Sequence, residues 1–444
     1  MADNMFGTDG VRGVANVDLT CELAYRLGMG AVRHLGPRLV VGRDTRRSGT
    51  MLESALAAGI MAAGGTPLCA GVIPTPAVAL LTCERGADGG VVISASHNPP
   101  EYNGIKFFGP DGMKAKDAVE EALTAYVRGG WEAESLRPGE GVGVIEKLKD
   151  ARERYVAHAV ASIDCDLAGL TVAVDCAHGA SCKTTPAALE RLGAKVVAIN
   201  TDYDGSDINV GCGSTHLGPL KELVAATGAD VGLAHDGDAD RVLFVDAQGQ
   251  EVDGDKVLAI CGRDLLSRGE LAAGEVVSTV MCNLGLTRSM DEVGVRVAQS
   301  AVGDRYVLAR MLEDGAVLGG EQSGHIIFLR HNTTGDGLVT ALQLLAVMRR
   351  SGKSLAELAS VMQRFPQSLV NVRTDRKAEW SDSAAVADAI AAERETLGAD
   401  GRVLVRASGT EPLVRVMVEA ATEELAHASA ERIASVVRRE LDGE

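Results

Sequence analysis

The feature that most restricts the fold is a pattern that recurs three times. An apolar strand, a polar turn, a helix rich in small residues and a second apolar strand read over 38–42, 43–48, onward to about 63, and 67–71. The same order returns over 170–175, 176–181, 186–192 and 195–200, and again over 276–281, 282–284, onward to about 293, and 295–299. Two strands joined through a helix by short links lie parallel, because a hairpin cannot return the chain in the same direction. Three such units predict three similar α/β domains with mixed sheets. The last stretch differs. It reads as strand 368–373, helix 381–396 with Ser381 as N-cap, strands 402–406 and 414–420, and a closing amphipathic helix 423–440. That is an α+β module without a parallel crossover. Breaks near 149–151, 249–253 and at Pro366 divide the 444 residues into 1–150, 151–250, 251–366 and 367–444.

Only 3% of residues are aromatic, so the cores must be built from Ala, Val, Leu and Ile. A net charge of −17 argues against nucleic acid or an anionic membrane as partner. An anionic substrate would have to be captured by local Arg and Lys. The first residues show no basic stretch followed by an apolar core, and no apolar run is long enough to span a bilayer. Nine cysteines occur without a Cys-x-x-Cys spacing, which reads as reduced thiols of a cytoplasmic protein. Zinc at Cys176 and Cys182 is a poor fit.

Four loops carry the chemistry. In His235-Asp236-Gly237-Asp238-Ala239-Asp240-Arg241, three acids alternate with small residues between two apolar segments. Alternate residues of an extended chain share a face, and three crowded carboxylates call for a cation. Mg²⁺ suits them better than Ca²⁺, and no Glu stands at the twelfth position of an EF-hand loop (Ala247). The competing reading is a solvated acidic hairpin tip. Apolar 90–93 runs into Ser94-Ala95-Ser96-His97-Asn98-Pro99, placing a serine where open α/β sheets hold their reacting groups. A hydrolase lacks support here, since no Gly-x-Ser-x-Gly elbow is present; a plain structural turn is the alternative. Gly320-Glu321-Gln322-Ser323-Gly324-His325 offers groups suited to sugar hydroxyls, or a glycine hairpin loop. Arg406-Ala407-Ser408-Gly409-Thr410-Glu411-Pro412 with Arg415 has the arginines, hydroxyls and turn amides of a phosphate cradle. No nucleotide-binding loop accompanies them, so transferred phosphate need not come from ATP.

These four loops, in this order and one per predicted domain, resemble the signature loops of the α-D-phosphohexomutases over essentially the whole chain. The opening Phe6-Gly7-Thr8-Asp9-Gly10-Val11-Arg12-Gly13, Gln322 and Val302-Gly303-Asp304-Arg305-Tyr306-Val307 look most like the family's glucosamine-phosphate branch; Pro100-Glu101-Tyr102-Asn103 departs from it slightly. The resemblance implies four domains around a central cleft, the last with a fold like the TATA-binding protein. It implies interconversion of glucosamine 6-phosphate and glucosamine 1-phosphate through a phosphoserine at Ser96 and glucosamine 1,6-bisphosphate, which also serves as activator. That reaction would feed UDP-N-acetylglucosamine and cell-wall synthesis. Asp236, Asp238 and Asp240 with phosphorylated Ser96 would hold Mg²⁺. Arg12 and Lys106 would flank the phosphoserine, and Lys106 or His325 would move the proton. Arg241 would stabilise phosphate charge, and Glu321 and Ser323 would grip the sugar. Arg406, Ser408, Gly409, Thr410 and Arg415 would hold the idle phosphate. A homodimer is expected. The alternatives are a mannose- or glucose-phosphate mutase, or a non-catalytic sugar-phosphate binding protein.

Overall fold

The computed structural model describes residues 5–7, 9–131, 136–408 and 411–442. The chain divides into two compact units, Met1–Met281 with Val295–Val361, and Cys282–Gly294 with Met362–Glu444. Among the described residues, no helix is long and apolar enough to cross a membrane.

The first unit contains three sheets, and all three predicted repeats are present as parallel pairs. Arg38–Arg43 pairs with Thr66–Val72, Thr171–Asp175 with Lys195–Ile199, and Glu275–Thr279 with Arg296–Ser300. A second regularity sets the site. On its other edge the first strand of each repeat takes another parallel partner: Gly89–Ile93, Val231–His235 and Leu318–Gly320 respectively. Each of these then turns into an antiparallel neighbour: Tyr102–Phe108, Val242–Asp246 and Ile326–Phe328. The loops 94–101, 236–241 and 321–325 therefore occupy one equivalent position, at the C-terminal end of a central strand, where such sheets present their chemistry. The first sheet is extended by Val11–Val14 and Glu146–Lys147, the second by Glu251–Val252.

Small residues replace aromatic bulk in the packing. Helices Cys21–His34 and Arg47–Ala62 touch through glycines: a Cβ on Gly28 would stand 2.3 Å from Leu56 O, and one on Gly59 2.0 Å from Tyr25 O. Leu27, Leu52, Leu56 and Ile60 close the surrounding core without solvent exposure.

In the second unit, Gln367–Arg373, Leu413–Glu419 and Arg402–Ala407 form an antiparallel sheet. Val414, Val416 and Val418 alternate into a core with Ala426, Ala430, Ile433 and Val437 of the helix Glu423–Asp442, so period two meets period 3.6. The helix Leu284–Asp291, which connectivity makes the crossover of the third repeat, belongs to this unit. There Asn283 donates to Phe365 O at 2.9 Å, and Glu419 accepts from Leu284 N at 3.0 Å. One expected cap is displaced. Ser381 lies within the 3₁₀ turn Lys377–Asp382, and Ser383 caps Ala384–Leu397 by accepting from Val386 N. The 3₁₀ turn uses the helical φ/ψ that a residue at 381 would need to leave for an N-cap.

Candidate active site

The catalytic-loop serine is presented by strain and held by buried charge. Ser96 follows the wholly buried strand Gly89–Ile93 and adopts φ +53°, a left-handed conformation unusual for a non-glycine residue. Asn98 N closes a turn onto Ala95 O at 3.0 Å. Ser96 Oγ donates to Asp236 Oδ2 at 2.6 Å and is 3.4 Å from His97 Nδ1. Ser94 turns the other way: its hydroxyl donates to Asp44 Oδ2 at 2.5 Å and accepts from Ser96 N at 2.9 Å. It braces the loop, and Ser96 meets the acids.

The supporting shell gave no signal in the sequence. Arg46, 1% exposed, pairs with Asp44 at 2.9 Å and donates to Ser96 O at 3.0 Å, Asn98 O at 2.7 Å, Tyr102 O at 3.0 Å and Pro99 O. Asn209 Nδ2 also donates to Ser96 O at 2.8 Å and Asn98 O at 3.0 Å. A guanidinium can satisfy several carbonyls at once, which makes it the group suited to locking an irregular loop.

Asp236, Asp238 and Asp240 do converge, with one carboxylate oxygen of each within 4.8 Å of the others. The cause is not the expected extended alternation. Residues 236–240 form a turn in which Ala239 takes φ +56° and Ala239 N bonds to Asp236 O at 3.1 Å. Among the described residues this is the one group of three or more His, Cys, Asp or Glu able to share a metal ion; Cys176 and Cys182 are free thiols. All three acids are at most 5% exposed. Burial, then Asp240 and Asp238, push Asp236 well above the ordinary carboxylate range, and burial and Asp238 push Asp240 up. Burial also opposes ionisation of Asp238, but Lys106 and the Thr75 hydroxyl overcome it and hold that carboxyl down. Asp238 Oδ1 and Asp240 Oδ1 are buried without a hydrogen-bond partner. Orphaned hard oxygens on crowded acids are the donor set a divalent cation satisfies, so the residues present fit a metal ion.

Lys106, 2% exposed, lies 3.0 Å from Asp238 Oδ2, 2.9 Å from Asp9 Oδ2 and 4.0 Å from Asp240 Oδ2. Burial disfavours its charge, yet these three carboxylates raise its pKa well above the ordinary value. Arg12 donates to Asn98 Oδ1 at 3.2 Å and pairs with Asp9. Arg241 Nε is 3.9 Å from Asp240 Oδ1; burial acts against its charge, and Asp240, Asp236 and Glu321 outweigh that.

The third loop docks on the second. Val242 N bonds to Gly324 O at 3.1 Å, and Arg241 and His325 form a bridge. Glu321 Oε1 accepts from Gly303 N at 3.1 Å, while Ser323 is exposed. His325 is 2% exposed with neither ring nitrogen hydrogen-bonded; its Nε2 lies 3.9 Å from Asp240 Oδ2 and 3.7 Å from Asp304 Oδ2. Gly335 makes room for this ring: a Cβ there would stand 2.4 Å from Nε2. Thus Arg12, Ser96, Lys106, Asp236, Asp238, Asp240, Arg241, Glu321 and His325 all lie within the first unit. Asp9, Lys114 and Asp304 join the same charge network and had no assigned role in the sequence reading.

In the second unit, Arg406 and Arg415 face each other across the ladder. Burial, then Arg415, lower the pKa of Arg406. Like charges in direct register are unfavourable unless an anion lies between them. Arg415 pairs with Glu411 at 2.8 Å, and Lys377 Nζ donates to Ser408 O at 2.6 Å and Glu411 O at 2.9 Å. Ser408 is buried and its Oγ accepts from Glu411 N at 3.3 Å; Gly409 and Thr410 lie outside the described residues.

Comparison with known proteins agrees. The chain matches the phosphoglucomutase/phosphomannomutase alpha/beta/alpha domains I, II and III over residues 3–133, 153–249 and 253–365, and the C-terminal domain of that family over 369–436. It is 53% identical to the phosphoglucosamine mutase of Desulforudis audaxviator across 98% of this chain and 97% of that protein. It is 54% identical to that of Moorella thermoacetica across 94% and 95%. The crystal structure of a phosphoglucomutase/phosphomannomutase family protein from Burkholderia thailandensis superposes with a TM-score of 0.82 at 27% identity, covering 99% of this chain and 98% of that one. The chain belongs to the α-D-phosphohexomutase family and stands with its phosphoglucosamine mutases.

Proposed function

We propose that this protein interconverts glucosamine 6-phosphate and glucosamine 1-phosphate, with Ser96 as the phosphoryl carrier. The observation that carries the reading is Ser96 Oγ, held in a left-handed turn 2.6 Å from Asp236 inside the three-aspartate cluster. In the forward reaction phosphorylated Ser96 gives its phosphoryl group to O1 of glucosamine 6-phosphate. The resulting 1,6-bisphosphate turns over and returns its 6-phosphoryl group to Ser96, and glucosamine 1-phosphate leaves. Asp236, Asp238, Asp240 and the phosphoserine would hold a divalent cation, Mg²⁺ in this reading, which when bound would withdraw charge from the transferring group.

The chain's own residues supply the rest. Lys106 and Arg12 place positive charge beside Ser96, where the phosphoryl oxygens gather charge during transfer. Lys106 already donates to two carboxylates, whereas neither ring nitrogen of His325 is engaged in a hydrogen bond, so His325 is the group assigned to take the proton of the attacking hydroxyl. Arg241 offsets phosphate charge, and Glu321 and Ser323 bind sugar hydroxyls. Arg406, Ser408, Gly409, Thr410 and Arg415 bind the phosphate that is not reacting. The division into 1–150, 151–250, 251–366 and 367–444 then assigns phosphoserine, metal, sugar and phosphate binding to successive domains. A cytoplasmic homodimer acting on phosphosugars, with neither nucleic acid nor membrane as partner, completes the reading; sedimentation of the purified chain tests the dimer.

A coupled assay for glucosamine 1-phosphate, primed with a trace of 1,6-bisphosphate, tests the activity. Glucosamine 6-phosphate should outpace glucose and mannose 6-phosphates. Preference for either neutral sugar reassigns the substrate. No turnover with any of them, and no transferable phosphate on Ser96, would leave a sugar-phosphate binding protein.

A further inference from the structure

One set of charges beside the reacting groups has no part in the chemistry above. Lys114 follows the strand Tyr102–Phe108 that carries Lys106 and folds back to bridge Phe108. Its ammonium lies 2.5 Å from Asp9 Oδ1 and pairs with Asp304 Oδ2. Asp9 uses its other oxygen for Lys106, at 2.9 Å, and for Arg12. Asp304 begins the helix Asp304–Asp314, and its paired oxygen lies 3.7 Å from His325 Nε2. The Asp304 turn is itself tied to the sugar loop through Gly303 N and Glu321. Charges therefore alternate from Asp304 through Lys114 and Asp9 to Lys106 and Asp238, joining the loop that holds His325 to the strand that holds Lys106.

Burial disfavours charge on Lys114, but Asp304 and Asp9 outweigh it and keep the amine protonated. Without that ammonium, Asp9 and Asp304 would lose the cation between them. Lys106 would then have to answer a more negative, less fixed Asp9. Lys114, Asp304 and His325 also line one side of a cavity of about 800 Å³, with Leu35, Met113, Leu308 and Ile327 among its apolar walls.

We propose that Lys114 is a positioning residue for the reaction: held between Asp9 and Asp304, it fixes Lys106 and His325 at the spacing that phosphoryl and proton transfer require. The inference rests on the reaction proposed above. Steady-state kinetics with glucosamine 6-phosphate, alongside melting temperatures, test it on the full chain. Lys114→Met should lower kcat about tenfold to a hundredfold with KM within about threefold, because misplaced reacting groups cost rate more than binding. Asp304→Asn should lower kcat in the same way, and the double variant should be no slower than Lys114→Met, since both break one chain of contacts. An active wild type with kcat in Lys114→Met within about threefold of it overturns the inference alone, as do effects that multiply in the double variant. An inactive wild type overturns the reaction and the inference with it. If Lys114→Met does not melt cooperatively, Asp304→Asn, which preserves side-chain shape, decides: lost kcat at unchanged KM supports the role, and unchanged kcat overturns it.

Discussion

Arg46→Met should uncouple the catalytic loop from its domain. The guanidinium is fully buried, pairs with Asp44 at 2.9 Å and satisfies four loop carbonyls. Removing one partner of a buried ion pair costs about 3–5 kcal/mol. Two effects set the lower end of that range here. Ser96 O and Asn98 O keep Asn209 as donor. Asp44, which burial pushes up against the opposing pull of Arg46, can take a proton once the arginine is gone. At about 2–4 °C per kcal/mol for a domain of roughly 150 residues, about 3 kcal/mol should lower the transition that includes the first sheet by roughly 6–12 °C. Arg46→Lys keeps the charge but replaces the planar fork by a compact ammonium. It should lose less stability yet still drop kcat by about tenfold or more, because Ser96 loses its fixed orientation. Differential scanning calorimetry and the mutase assay read both effects. If Arg46→Met melts within about 2 °C of wild type and keeps more than half its turnover, Ser96 is held by something else.

Ser96→Ala should nearly abolish turnover while leaving the fold intact; retained turnover above about a tenth would mean that phosphate is carried elsewhere, and not by Ser94, whose hydroxyl is committed to Asp44. Adding Mg²⁺ to chelated protein should raise the melting temperature, by about 2.7 kcal/mol of stabilisation at a hundredfold excess over Kd, and Asp238→Asn should blunt that rise and slow the reaction sharply. Indifference to both would remove the metal from the account. Arg415→Ala should raise KM for glucosamine 6-phosphate and lower kcat, with a loss of about 1.5–3 kcal/mol in kcat/KM, and should release more 1,6-bisphosphate per turnover. Unchanged kinetics would leave residues 406–415 as a plain strand connection.

Local pattern made much of this legible. Strand, helix and strand with short links are visible in one window, and so are three aspartates spaced two residues apart. Even there the reason differed: a turn at Ala239 gathers the carboxylates, and no periodicity marks a left-handed alanine. Arg46, Asn209, Lys114 and Asp304 were not legible, because each is tied to the site through a partner from a distant segment of the chain. With 44 Lys and Arg and 61 Asp and Glu in the chain, charge alone cannot select them. The equivalence of the three loops was hidden for a similar reason. The strand that carries each loop joins its sheet beyond the βαβ unit, through a pairing that leaves no spacing signal.

The central claim is that Ser96 passes phosphate to and from glucosamine phosphate, and a single-turnover transfer tests it most directly. Protein phosphorylated with the 1,6-bisphosphate is freed of excess reagent, mixed with glucosamine 6-phosphate and quenched. Peptide mass spectrometry then follows the phosphoryl group. The peptide containing Ser96 should lose one phosphoryl mass as an equal amount of glucosamine 1,6-bisphosphate appears. Phosphate that stays on Ser96, resides on another residue, or passes to water as inorganic phosphate would contradict it.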